Sequence, residues 1–366
     1  MIQQKLSPGS LDVSAKFHNL AIVAEEQGDY MGAEAYEQQA LAIRERLNAR
    51  MAIGSSFGGL AHYALDRGDF TKAEDLFRKA LAIYEELAPD SEEVTDALNA
   101  IGNIARHRGD LAEAEKRYSQ SLEIEEKVAP GGINAADNLN DLGTVARARS
   151  NYDKAEVLYP RALAILEKLA PGTQSHANVL NNLGLLMRDE GHLEAAEQYF
   201  ARSISALEQH TAQLGGSQDT ESVFRAHQSH FYKDYISILL ALKRFDQAFL
   251  VAEQSRSRSL LTVLASRDLA IDADLPADVR RALKTNANEY DQAQQQLATL
   301  SPAKDAARVE QLTTRLHELS VQRQQLIESV RRTSPRFATF QYPQPLDLAT
   351  TRAALDPGTA MLSFLV

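Results

Sequence analysis

Cysteine and tryptophan are absent from this chain of 366 residues, and aromatic residues make up only 7% of it. Without cysteine there is no disulfide framework, no thiolate zinc site and no cysteine nucleophile within these residues. The same absence fits a reducing, cytoplasmic setting. No apolar run reaches the roughly 18 residues that a membrane span needs. The N-terminus, MIQQKLSPGS, lacks the apolar core of a secretory signal. The chain is acidic, with a net charge of −11, which argues against the electrostatic footprint of a duplex-binding protein. Neither direct nucleic-acid binding nor membrane association is expected. There is no Gly-rich phosphate loop, HExxH helix, Gly-x-Ser-x-Gly elbow or calcium loop, so no cofactor, metal or catalytic residue is expected in this chain. What is plentiful is alanine and leucine, in a chain that is 44% hydrophobic. That composition favours helices over a sandwich or barrel and supplies ample core.

Self-similarity decides the architecture. One pattern recurs five times: Gly28-Asp29-Tyr30 with Ala33, Gly68-Asp69-Phe70 with Ala73, Gly109-Asp110-Leu111 with Ala114, Ser150-Asn151-Tyr152 with Ala155, and Gly191-His192-Leu193 with Ala196. The period is 40 residues once and then 41 three times. A first helix precedes each turn, as in LNAIGNIA and LNDLGTVA, and a second follows, as in ALAIYEEL and ALAILEKL. Glycine lets the chain reverse, and the following Asp caps the second helix. The alanine is small where the two helices approach. Phe77, Tyr118, Tyr159 and Phe200 lie one turn further on, where an aromatic is expected to fill the seam with the next hairpin. Pro89, Pro130 and Pro171 terminate second helices.

These residues resemble the tetratricopeptide repeat (TPR), in the longer variant of about 42 residues found in kinesin light chains. Leu142-Gly143, Leu183-Gly184, the Gly-Asp turn and the repeated alanine are the matching positions. The usual tryptophan of the first helix is replaced by Phe17, Phe57, Leu98, Leu139 and Leu180. The resemblance implies an all-α, right-handed TPR superhelix of about six hairpins.

Five units fill 11–204, and residues 1–10 look like the tail of a preceding repeat. An insert and a diverged sixth hairpin occupy 205–270, with Tyr232, Tyr235 and Ile236 on its first helix and Lys243-Arg244-Phe245 with Ala248 at its turn. Residues 271–333 read as an antiparallel helical hairpin broken at Ser301-Pro302, with Leu297, Leu312, Leu316, Leu319, Leu326 and Val330 as its apolar stripe. From 334 to 366 come a linker, a short helix capped by Asp347, and TAMLSFLV, which has strand composition and suggests truncation.

The order of an array, then a helix carrying Ala248, Phe249, Ala252, Glu253, Arg256, Arg258, Leu260 and Leu261, then a hairpin and YPQPLDLATTRAALDPGTAMLSFLV, resembles bacterial TPR–CHAT proteins. CHAT domains are caspase-like peptidases with a His/Cys dyad. The resemblance implies that only the start of the CHAT α/β domain is present, that this chain is not itself an enzyme, and that its parent is a cysteine protease. It implies a regulatory scaffold, a CHAT domain acting in cis as one partner, and a role in prokaryotic defence with a CRISPR effector protein as another. A stand-alone structural TPR scaffold is the alternative, with an enzyme active within this chain the less favoured third.

The informative constellation is a ladder. Asn99, Asn140 and Asn181 fall at one repeat position, and Arg106, Arg147 and Arg188 fall seven residues on, about two helical turns away on the same face of each first helix. In resembling repeat proteins first helices line the concave groove. There the asparagines could hydrogen-bond an extended peptide backbone and the arginines pair with its carboxylates. Asparagines that bracket neighbouring helices explain the pattern equally well. The arginines point to the groove, because their repeat position is not a core position. Asn103, His107 and Asn178 are weaker additions. His227 and His230 share a helix face but lack carboxylate or thiolate neighbours and read as ordinary histidines. Glu85-Glu86 and Glu125-Glu126 are expected on the solvated side of second helices.

Overall fold

The computed structural model describes residues 9–213, 228–265, 275–298, 300, 305–335 and 347–354, all helix or connection, with no strand among them. Two compact units divide the chain: Met1–Pro130 with Ala148–Ser150, and Gly131–Arg147 with Asn151–Val366.

The first unit holds three hairpins, α1 (Leu11–Glu26) with α2 (Tyr30–Arg46), α3 (Arg50–Asp66) with α4 (Phe70–Leu87), and α5 (Glu92–His107) with α6 (Leu111–Val128). Helices pair within each hairpin, and α2 then packs on α3 and α4 on α5. The turns are made as the sequence requires. Gly28, Gly68 and Gly109 take φ of 74°, 75° and 79°, a conformation that costs glycine nothing. Asp29, Asp69 and Asp110 then accept backbone N–H bonds from Gly32, Lys72 and Glu113 at 2.9–3.1 Å, closing the open N-terminus of each second helix. Ala33, Ala73 and Ala114 are fully buried.

The second unit continues with α7 (Ile133–Ala148, but for its last residue), α8 (Tyr152–Leu169), α9 (Gln174–Asp189) and α10 (Leu193–Gln213). Ser150 stands where the other turns have glycine and still takes φ of 58°, in the connection between α7 and α8. A diverged hairpin, α11 (Ser229–Ala241) and α12 (Phe245–Ala265), packs on α10. Two long helices follow, α13 (Ala277–Ala298) and α14 (Ala306–Thr333). They run antiparallel: Asn286 reaches the Leu319 carbonyl, Glu289 pairs with Arg315, and Gln296 accepts from Arg308. Their seam, Tyr290, Ala293, Leu297, Val309, Leu312, Leu316 and Leu319, closes over Leu169 and Ile165 of α8. A short helix, α15 (Leu348–Ala354), is capped by Asp347, which accepts from Thr350 N at 2.6 Å. The insert at 214–227, Ser301-Pro302, and the strand-like run after 354 lie outside the described residues, as do His227 and the side chains of Arg256 and Arg258.

One expectation is corrected and one extended. Phe77 and Phe200 cluster with buried side chains of the following hairpin, among them Leu98 and Ile238, and Tyr118, Tyr159 and Phe200 also lie over a glycine of their own hairpin. A Cβ on Gly102, Gly143 or Gly184 would stand 2.6–2.7 Å from the ring of Tyr118, Tyr159 or Phe200. The absent methyl lets the ring cross the helix backbone. Glu125 is not on a solvated face: it is buried, at the repeat position held by Tyr84 and Leu166.

Candidate functional site

The first helices α5, α7 and α9 carry the ladder, and each presents one face at spacings of three, four and three residues. On α5 that face is Asp96, Asn99, Asn103 and Arg106. On α7 it is Asp137, Asn140, Thr144 and Arg147, and on α9 it is Asn178, Asn181, Leu185 and Arg188. Each arginine stands in the last turn of its helix, where the macrodipole favours a cation.

In the first unit the tyrosine under the face organises it. Tyr118 donates to Asn103 Oδ1 at 2.8 Å, and Arg106 Nε donates to the Tyr118 hydroxyl at 3.4 Å. Burial of the aromatic thus fixes two of the ladder's side chains. Asn99 Oδ1 is buried with no hydrogen-bond partner among the described residues. His107 is stacked on Phe70, with ring centroids 4.5 Å apart, which takes it out of the face.

In the second unit the face is knitted across repeats. Asn182 Nδ2 on α9 donates to Asn140 Oδ1 at 2.8 Å and reaches Thr144 Oγ1 at 3.4 Å. Asn181 Nδ2 donates to Asp234 of α11 at 3.1 Å. In register these are two rungs of one pattern, since each ladder asparagine meets the residue one place after its own position in the following repeat. Asn178 accepts from Gln174 at 3.0 Å, within α9. Bracketing therefore uses the Asn140 carbonyl oxygen and the Asn181 amide nitrogen. It leaves Asn181 Oδ1, on a side chain only 4% exposed, without a hydrogen bond among the described residues.

Two guanidiniums share one carboxylate. Arg147 reaches Asp189 Oδ2 at 2.7 Å, and Arg188 reaches Oδ1 at 3.0 Å. The triad keeps one positive charge in excess, on side chains 21% and 36% exposed. Tyr159, below Arg147, donates to Thr144 Oγ1 at 3.3 Å, and burial raises its pKa.

Asp96 and Asp137, at one repeat position, were not singled out by residue pattern. Burial pushes both carboxyls above their ordinary range, with Glu92 and Glu125 adding to the effect at Asp96, while a hydrogen bond from Ser175 opposes it at Asp137. Their recurrence three residues before Asn99 and Asn140 was the available signal. Among the described residues no cluster of three or more potential metal ligands forms, and no helix is long and apolar enough to cross a membrane.

Helical hairpins of this period, with a small residue at each crossing and polar faces on successive first helices, define a class of repeat scaffold that binds other proteins. The tetratricopeptide repeat family profile matches residues 12–86, 49–127, 93–168 and 134–209, which together span more than half of the chain. The chain belongs to that family. No curated protein matches it. Among solved structures it is similar to BtubC (BKLC) from P. vanneervenii, with 22% identity, 64% of this chain and 91% of that one covered, and a TM-score of 0.50. It is also similar to the apo form of RapI, with 14% identity, 86% and 99% covered, and a TM-score of 0.51. A putative kinesin light chain from Podosopora anserina with nearly identical TPR-like repeats matches at 17% identity over 52% and 93%, with a TM-score of 0.46. The first two likenesses agree with the helical-repeat fold.

Proposed function

We propose that the ladder face of the second unit binds an extended, acidic peptide segment of a partner protein, Asn140 and Asn181 addressing its backbone and Arg147 and Arg188 its carboxylates. In the first unit Asn99, Asn103 and Arg106 offer the same chemistry on a face of their own. The observation that carries this reading is the Arg147–Asp189–Arg188 triad with its surplus charge, two helical turns along α9 from the unsatisfied Asn181 Oδ1. A buried acceptor without a partner costs free energy that a peptide N–H would recover. A second guanidinium on one carboxylate is likewise better satisfied by an added anion.

The selection that tests this displays random peptides on phage against the whole chain. Acidic sequences should be enriched, and Arg106→Gln/Arg147→Gln/Arg188→Gln should abolish that enrichment. Enrichment of neutral sequences, or of the same acidic ones by the triple variant, contradicts it.

The wider setting follows from the resemblance to TPR–CHAT proteins. Supporting it are the run from Ala248 to Leu261 and the segment 342–366, most of which lies outside the described residues. On this reading the chain is the recognition and regulatory half of a caspase-like protease. The peptidase domain acts in cis, and the acidic segment belongs to a defence partner such as a CRISPR effector protein. The chain of 366 residues then has no peptidase activity of its own.

A further inference from the structure

One repeat position behaves differently in different repeats. Fourteen residues after the seam alanine, in the last turn or just past the end of each second helix, stand Leu47, Leu87, Val128 and Leu169. Leu169 is 1% exposed, because α13 and α14 close over it. Leu47, Leu87 and Val128 are 44%, 43% and 47% exposed. One turn earlier the same helices carry an isoleucine in every case: Ile43, Ile83, Ile124 and Ile165. In the second unit Ile165 joins the covered cluster with Leu169. Isolated exposed leucines are ordinary on protein surfaces, whereas here large apolar side chains recur exposed at one repeat position on three successive second helices.

The covered rung shows what such a row accepts. It is an antiparallel helix pair whose apolar side chains recur at three- and four-residue intervals, Val309, Leu312, Leu316 and Leu319 on α14 with Tyr290 and Leu297 on α13. One polar contact pins it to the end of α8, the Tyr290 hydroxyl donating to Pro171 O at 3.4 Å; the Thr313 hydroxyl, which donates to Val309 O of its own helix at 2.8 Å, lies 3.4 Å from Lys168 O. Carbonyls at a helix C-terminus are the acceptors an incoming helix finds there. The first unit ends its helices α4 and α6 in the same way, before Pro89 and Pro130. Of the charged groups flanking its row, Arg50 pairs with Glu86 and Lys127 with Asp90.

We propose that Leu47, Leu87 and Val128, with the half-buried Ile83 and Ile124 one turn earlier, form a docking ledge for an amphipathic helix of a partner protein, with a leucine stripe of the kind that α14 lays on Leu169. The ledge lies on second helices, whereas the peptide-binding ladder lies on first helices, so the two can be tested separately.

The probe is a fluorescein-labelled synthetic peptide of residues 306–333, titrated with the whole chain and followed by anisotropy. Saturable binding is expected, weakened at least about tenfold by Leu47→Asp/Leu87→Asp and unaffected by Arg106→Gln/Arg147→Gln/Arg188→Gln. The peptide carrying Leu312→Asp/Leu316→Asp should not bind. Circular dichroism confirms folding, and Leu47→Ser/Leu87→Ser replaces the aspartate pair if that pair unfolds. No saturable binding at millimolar peptide, or binding that neither Leu47/Leu87 pair weakens, overturns the proposal. So does binding lost only in Leu169→Asp, since the peptide would then be exchanging with the chain's own hairpin.

Discussion

At the level of single residues, the first repeat shows what happens when a core position changes chemistry. Where later repeats have Phe77, Tyr118, Tyr159 and Phe200, the first has Glu37, with no exposed surface. Arg44 donates to it at 3.1 Å, and His18 Nδ1 donates at 2.7 Å. Arg44 also reaches Ser56 Oγ and the Ala52 carbonyl. Removing one partner of a buried pair costs about 3–5 kcal/mol, whereas replacing both by apolar groups of like shape is often neutral or stabilising. Glu37→Gln should therefore lower the melting temperature sharply. Glu37→Phe/Arg44→Leu, copying the second and fourth repeats, should melt at or above the parent. If the double variant is the less stable, the pair is worth more than the apolar core that replaces it.

Asp137 gives a pH-dependent test. Burial raises its pKa in the folded chain, so its contribution to stability is fully present below the unfolded value, about 3.9, and is lost as pH rises through the folded value. Asp137→Asn, which stays neutral, should raise the melting temperature at pH 7 and change it little near pH 3. An equal effect at both pH values would show that packing, not charge, sets the difference.

Among the helices, an ion pair between successive repeats recurs in register. Arg67 meets Glu34 at 2.6 Å, and Arg108 meets Glu74 and Arg149 meets Glu115 likewise. In the second unit one rung fails: Glu190 holds the arginine's position, with Glu156 in the glutamate's, while Glu197, next in the series, again meets an arginine of the following hairpin, Arg244, at 3.1 Å. Burial first, then Glu156, raises the Glu190 pKa, and its Oε2 is buried without a hydrogen bond among the described residues. Glu190→Arg should restore the rung and stabilise the chain by about 0.2–1 kcal/mol, less at high salt. A lower melting temperature at low salt would show that the acidic neighbours are not the source of the shift. Hairpins, turns and caps of this kind were readable from sequence, because each depends on residues within one 41-residue period. Glu125 was misplaced on the solvated side for the converse reason: its type suggests water, while its register, shared with Tyr84 and Leu166, places it in the core.

For the chain as a whole, the period and the family it implies were visible in five turns and five alanines. Much of the face that the ladder builds was visible too, because the residues repeat. The closure of α13 and α14 over Leu169 was not, since its contacts join residues 119 and 145 apart in sequence and follow no local period. Nor was the sharing of Asp189 by two arginines, which needs the packing of α9 against its neighbour. The measurement that decides whether the ladder is a binding face is a calorimetric titration of an acidic peptide, recovered by selection on the whole chain, at several salt concentrations. The parent should bind with an affinity that falls as salt rises. Arg106→Gln/Arg147→Gln/Arg188→Gln should bind at least about tenfold more weakly, with a shallower salt dependence and little change in melting temperature. Asn181→Ala should weaken binding without changing the salt slope. Equal affinity of the triple variant and the parent, at low and at physiological salt, would leave the arginines as struts within and between repeats and would contradict the assignment.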